Sequence, residues 1–187
     1  MQATVKHELE EINSNYREIE DYIDPPPHLI ASFTDDDWVN FAARSESSRS
    51  QYEKDLKQLN VLLPTLGSAT IAEAYNQGCR LMQRNLSGYM AQHFDPVYVP
   101  VMVKAIETKH FHTAQTFLQV LADHEYPQIE NLLSEAIKLR ELQDVALSII
   151  RQLRLKSFQD IVNDLCQSPD KTINEIANNT KEILLQE

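Results

Sequence analysis

Gly67, Gly78 and Gly88 are the only glycines in this chain of 187 residues. Tight hairpin turns need residues that accept positive φ, chiefly glycine, so a fold built from many β-hairpins is strongly disfavoured. The same scarcity excludes the phosphate-cradling loops G-x-G-x-x-G and G-x-x-x-x-G-K-[ST], which these three positions cannot spell. Helix packed on helix is left as the expected architecture, and the spacing of apolar residues points the same way. The chain is expected to be all-α.

Val5, Leu9, Ile12, Tyr16, Ile19 and Ile23 follow one another in steps of 4, 3, 4, 3, 4. That is the 3.5-residue period of a helix packing along one seam. Acids lie between them, and the helix is expected to stop at Asp24-Pro25-Pro26-Pro27, where three prolines remove three amide donors. A second stripe, Trp38, Phe41, Ser45, Ser48, Tyr52, Leu56, Leu59, Leu63, keeps the heptad phase up to Pro64. Thr34 is its expected N-cap, with Asp35, Asp36 and Asp37 at the positive end of the helix dipole. The polar run Arg44 to Ser50 predicts a break in its middle. Residues 1–66 therefore predict an antiparallel helical hairpin with a Pro-rich turn at 24–34.

The remainder, residues 67–187, shows a period of about 32 residues. A shift of 32 aligns Leu86/Leu118/Ile150, Tyr89/Leu121/Leu153, Phe94/Tyr126/Phe158, Val97/Ile129/Ile161 and Val101/Leu133/Leu165, all of them large and apolar. Ala114, Ala146 and Ala177 recur at 32 and 31, where small side chains let helices approach. Helix-forming runs are predicted at 70–91, 95–108, 111–123, 126–140, 142–153, 156–167 and 170–186, with Ser168 capping the last. Asn178-Asn179-Thr180 gives that last helix one wet side, as a terminal cap would have.

A helix pair of this length, with an alanine in the first helix and an aromatic residue opening the second, resembles the HEAT-like and armadillo-like α-solenoids over residues 69–187. The units are shorter than the usual 40 to 47 or so residues of those repeats, and Asp123 and Arg154 are partial echoes of their turn residues. The resemblance implies a short solenoid of helix pairs closed by a capping helix. Some proteins of HEAT-like fold handle tetrapyrroles or modified bases, so an enzyme on such a scaffold is one implied reading.

The residues themselves offer little chemistry. His110 and His112 form an H-x-H pair, but His124 lies twelve residues beyond His112, about 18 Å along one helix. Three ligands would have to converge within about 2.2 Å of one ion, so these histidines are expected at the surface, with no metal site and no cofactor. Cys79 and Cys166 have no helical-neighbour histidine, although Arg80 and Arg84 could lower the Cys79 pKa. No G-x-S-x-G elbow occurs. The basic groups Lys138/Arg140 and Arg151/Arg154/Lys156 fall at predicted helix C-termini, where the dipole favours them.

The net charge of −11 disfavours nucleic acid and anionic membrane surfaces. No stretch approaches the ~20 apolar residues of a membrane span, the N-terminus lacks an apolar signal core, and the two cysteines are isolated. A cytoplasmic protein is expected. In the predicted second helices, Val99, Asn131 and Asn163 share one column, with Glu130, Glu135, Asp160 and Asp164 nearby. This acidic, amide-bearing face is expected to bind a basic or amphipathic segment of a protein partner, making the chain a non-catalytic interaction module: an adaptor, scaffold or chaperone-like subunit. The competing expectation is an oligomeric structural protein, a homodimer for instance, assembled through the seam Val5, Leu9, Ile12, Tyr16, Ile19 and Ile23.

Overall fold

A computed structural model describes residues 2–186, and the side chains of all of these except residues 2–4 and 112. Among the described residues every regular element is helical. The chain divides into two compact units, Met1–Tyr98 and Val99–Glu187.

In the first unit, α1 (Gln2–Ile23) ends where predicted. Pro26 is extended at φ −66° and ψ 143°, and Pro27 opens a single turn, α2 (Pro27–Ile30). The Thr34 hydroxyl accepts from the Asp37 amide while the Asp37 carboxylate accepts from the Thr34 amide, a reciprocal cap that starts α3 (Asp35–Leu62). This helix runs unbroken for 28 residues, so the break expected at Arg44 to Ser50 does not occur. The serines serve close approach instead: Ser48 is buried, and the Ser45 hydroxyl donates to the Tyr22 carbonyl at 3.1 Å. Tyr22 meets Ser45, Tyr16 meets Tyr52 and Asn15 meets Asp55, so residue numbers fall along α3 as they rise along α1. The pair is antiparallel.

Leu9, Ile12 and Tyr16 of α1, with Leu59 and Leu62 of α3, are buried in this unit. Trp38, expected in the same seam, is 44% exposed. Asp55, which no apolar stripe could flag, is only 2% exposed.

The run 70–91 is two helices, α4 (Ser68–Gln77) and α5 (Arg80–Gln92). Gly78 stands at the break, where a Cβ would lie 2.9 Å from the Ala74 carbonyl oxygen and 2.8 Å from Met82 Cγ. Side chains of α1 cover the opened ends. Arg17 donates to the Gln77 carbonyl at 3.1 Å, the Cys79 amide donates to Asn13 at 2.9 Å, and the Arg80 amide donates to Glu20 at 3.0 Å. Terminal peptide groups that a break would orphan thus find partners across the unit. The boundary expected at 66/67 falls inside this unit, because α5 packs on α1.

The second unit holds α6 (Val99–Glu107), α7 (Phe111–Asp123), α8 (Ile129–Ala136), α9 (Gln143–Leu153), α10 (Gln159–Leu165) and α11 (Lys171–Leu185). Each falls within one predicted run. α6 packs on α7, α7 on α8 and α9, α9 on α8 and α11, and α10 on α11. Ala114, Ala146 and Ala177 are fully buried on α7, α9 and α11. Leu118 and Ile150 are buried as their column predicts, but Ile161 is 38% exposed. Val97, from the same column, lies in the first unit and is 48% exposed. Ile129, the third member of that column, is buried, so the column is core at one of its three positions.

Three helix ends close alike. Lys109, Glu125 and Arg154 adopt left-handed backbone at φ 58°, 52° and 52°. The next amide in each case, of His110, Tyr126 and Leu155, donates back to the carbonyl of Ala105, Leu121 and Ile150. This is the Schellman closure, made here without glycine. At the last helix, Asp170 rather than Ser168 is the cap, accepting from the amides of Thr172 and Ile173. Thr180, expected on the wet side, is fully buried and donates to the Ile176 carbonyl at 2.8 Å. Asn178 and Asn179 are exposed.

Candidate interaction surface

The seven residues of the expected binding face all lie in the second unit, distributed over α6, α8 and α10. Val99 opens α6 and is half-buried. Glu130, Asn131 and Glu135 are exposed on α8, and Asp160 and Asp164 are exposed on α10. Asn163 is half-buried, and its side-chain oxygen is buried without a hydrogen-bond partner. Glu130 accepts from the Ser157 hydroxyl at 2.8 Å, which ties α8 to the 3-10 turn Lys156–Phe158 leading into α10.

A groove of about 600 Å³ runs between the C-terminal part of α6 and the face of α8. Its apolar lining comes from Val103, Ile106, Leu132, Ala136, Leu139 and Leu142. Gln128 and Asn131 add amides, and Glu107, Glu135, Lys109 and Lys138 add two charges of each sign. Of the seven expected residues, only Asn131 and Glu135 line it. Lys138 sits 2.6 Å from Glu135, so that carboxylate is already paired. The uncompensated acids lie beyond the groove, at Asp160 and Asp164. An apolar floor with a few amides on its edge combines nonpolar surface with groups that can hydrogen-bond a peptide backbone. The sequence did not point to the floor, because its residues come from α6, α8 and the segment after α8, with the whole of α7 between the first two. The recurrence of buried columns was the signal available, and it marked the core rather than this rim.

The six-residue seam proposed for oligomerisation is occupied within the first unit. Leu9, Ile12 and Tyr16 are buried, Val5, Ile19 and Ile23 half-buried, and α1 packs on α3 and α5. That unit also contains a polar cluster. Asp55 accepts from Gln51 at 2.9 and 3.0 Å and from Asn15 at 3.4 Å, while the Tyr52 hydroxyl donates to Asn85 at 3.0 Å. The Tyr16 hydroxyl has no hydrogen-bond partner of ordinary geometry. Burial first, then the neighbouring Tyr52 and Asp55, push its phenol far above the ordinary tyrosine value; the nearby Asn85 side chain opposes them only weakly. The cluster fixes the register of α1 against α3 and offers no activated nucleophile.

Arg80 and Arg84 do not lower the Cys79 pKa. Burial raises its thiol pKa, and Glu20 raises it further. Arg80 is drawn to Asp21 at 2.6 Å and Arg84 to Asp24 at 3.9 Å, so neither activates the sulfur. His110 and His124 flank α7 at its two ends, and the His112 side chain lies outside the described residues. Among the described residues no group of three potential metal ligands comes together, and no helix is long and apolar enough to cross a membrane.

Comparisons with protein-family models, curated proteins and solved structures give no match to this chain.

Proposed function

We propose that the chain is a non-catalytic protein-interaction module, an adaptor, scaffold or chaperone-like subunit, whose α6–α8 groove holds an amphipathic segment of a partner. The observation that carries this reading is the apolar groove floor edged by Gln128 and Asn131. Basic residues on a longer segment would meet the acids Asp160 and Asp164 on α10 of the same unit. We read the second unit as part of a short α-solenoid in which α7–α8 and α9–α10 are helix pairs, α6 is the second helix of a preceding pair and α11 is the capping helix. Support comes from the neighbour-to-neighbour packing of α7, α9 and α11, their three buried alanines and the repeated helix closures. Two unbridged thiols, Cys79 and Cys166, suit a reducing, cytoplasmic setting.

The test is selection of amphipathic peptides on the full chain, followed by mapping of backbone amide shifts. Perturbations should gather at Val103, Ile106, Leu132 and Leu139. Leu139→Asp with Asn131→Asp should weaken binding at least tenfold at unchanged helicity. The charge reversal Glu135→Lys with Asp164→Lys should reduce binding of basic peptides in particular. Selected peptides that map elsewhere, or that ignore the groove substitutions, would overturn the reading.

A further inference from the structure

The far end of the α1–α3 hairpin carries four aromatic rings in mutual contact. Phe33 meets Trp38 edge-on at 5.1 Å between centroids and Phe41 at 5.2 Å; Trp38 meets Phe41 at 6.0 Å, and Phe41 meets Tyr22 at 5.7 Å. None of the four is fully buried, and Trp38 and Val39 stand 44% and 70% exposed. Large aromatics left in water at this density mark recognition surfaces more often than cores. A groove of about 620 Å³ passes over Tyr22, Phe33 and Phe41, edged by Glu18 and Asp37 and by Asp21, which Arg80 already pairs at 2.6 Å. Asp35 and Asp36 are exposed on the same turn as Asp37. Hydrogen bonds from the Thr34 hydroxyl and amide hold the Asp37 carboxyl below the usual carboxylate range, so it stays charged. Arg44, the one cation lining the groove among the described residues, is spent on Tyr22: it donates to the hydroxyl at 2.7 Å and lies 5.8 Å from the ring centroid.

An aromatic floor with an acidic rim selects an organic cation on an apolar stem. Ring faces attract ammonium or guanidinium, carboxylates hold it, and the stem packs on the rings. We propose that this hairpin end is a second recognition site, which takes a lysine- or arginine-bearing segment of a partner protein. It does not rest on the α6–α8 groove, which belongs to the other unit.

Because the whole chain is strongly acidic, the test must be local, and Trp38 makes it so as the only tryptophan. An acetylated twelve-residue peptide of alternating lysine and leucine pairs is titrated into the full chain, beside its glutamate-for-lysine counterpart. The lysine peptide should shift Trp38 emission saturably to shorter wavelength, and the glutamate peptide should not. Reversal of two exposed acids, Glu18→Lys with Asp36→Lys, should weaken binding at least tenfold. The matched reversal Glu175→Lys with Glu182→Lys, two exposed acids of α11 in the other unit, should change it less than twofold. Phe33→Ala, followed by anisotropy of labelled peptide, should weaken it at least fivefold; if it disturbs the hairpin end, the charge reversals still decide. Equal losses from both reversals, unmoved Trp38 emission, or equal binding of the glutamate peptide would overturn the proposal. So would emission that changes with protein concentration alone, which would assign the rings to a second copy of this chain.

Discussion

The hydroxyl of Tyr16 is buried beside Asp55 with no partner to donate to. An unsatisfied buried polar group is destabilising, so Tyr16→Phe is expected to raise stability by about 1 kcal/mol in urea unfolding. It should also change the alkaline limb of stability. Below about pH 10 the phenol is protonated in both folded and unfolded chains. Above it the unfolded chain loses its proton first, because the folded value is raised, and stability falls as pH increases. Tyr16→Phe should flatten that fall and leave the share due to Tyr98, whose phenol burial also raises. Lys109, Glu125 and Arg154 make a complementary case. Left-handed backbone is unfavourable for side chains with a Cβ, and glycine relieves it at some loss of unfolded-state entropy. Each substitution to glycine should stabilise by roughly 0.5–1 kcal/mol, read from the same titrations. No local sequence signal marks these positions, since lysine, glutamate and arginine are ordinary helix residues. The turn is imposed by the helices that follow.

At the scale of elements, legibility depended on where the determining contacts lie. The α1 stripe and the Thr34 cap were readable because they are written within a few residues. The continuity of α3 was not, because Ser45 and Ser48 look like breakers until α1 lies against them. The α4–α5 break was hidden for the same reason. Its glycine is required by the Ala74 carbonyl, and its opened peptide groups are met from 60 and 66 residues away. Asn13→Ala should therefore destabilise the chain by about 1 kcal/mol, as loss of an ordinary N-cap does, with faster amide exchange at the first turn of α5. Gly78→Ala should be worse than its helix propensity suggests, since the added methyl meets backbone. Ala146 is fully buried where α9 packs on its neighbours. Ala146→Leu should cost about 1–3 kcal/mol through overpacking, visible as a lowered Tm.

For the whole molecule, the division at Tyr98 implies two cooperative units. Residues 99–187 expressed alone should keep helical circular dichroism and unfold cooperatively, and calorimetry of the full chain should resolve two transitions. A single transition with an unfolded fragment would show that the units depend on each other. The all-helical class was legible from glycine scarcity and apolar spacing. The unit boundary was not, because it is set by α5 returning to α1. Of the residues the sequence singled out, Asn131 and Glu135 line the candidate groove, while the pairing of Glu135 with Lys138 and the apolar floor arise from folding.

The reach of Asn13 and Glu20 to the start of α5 has a temporal consequence. On the ribosome, α1 emerges before α5 and must wait through some sixty further residues before the amides it caps are synthesised. Until then the nascent first unit lacks its closing clasp. Slow translation across the Gly78 region would prolong exposure of the part of α1 that α5 covers.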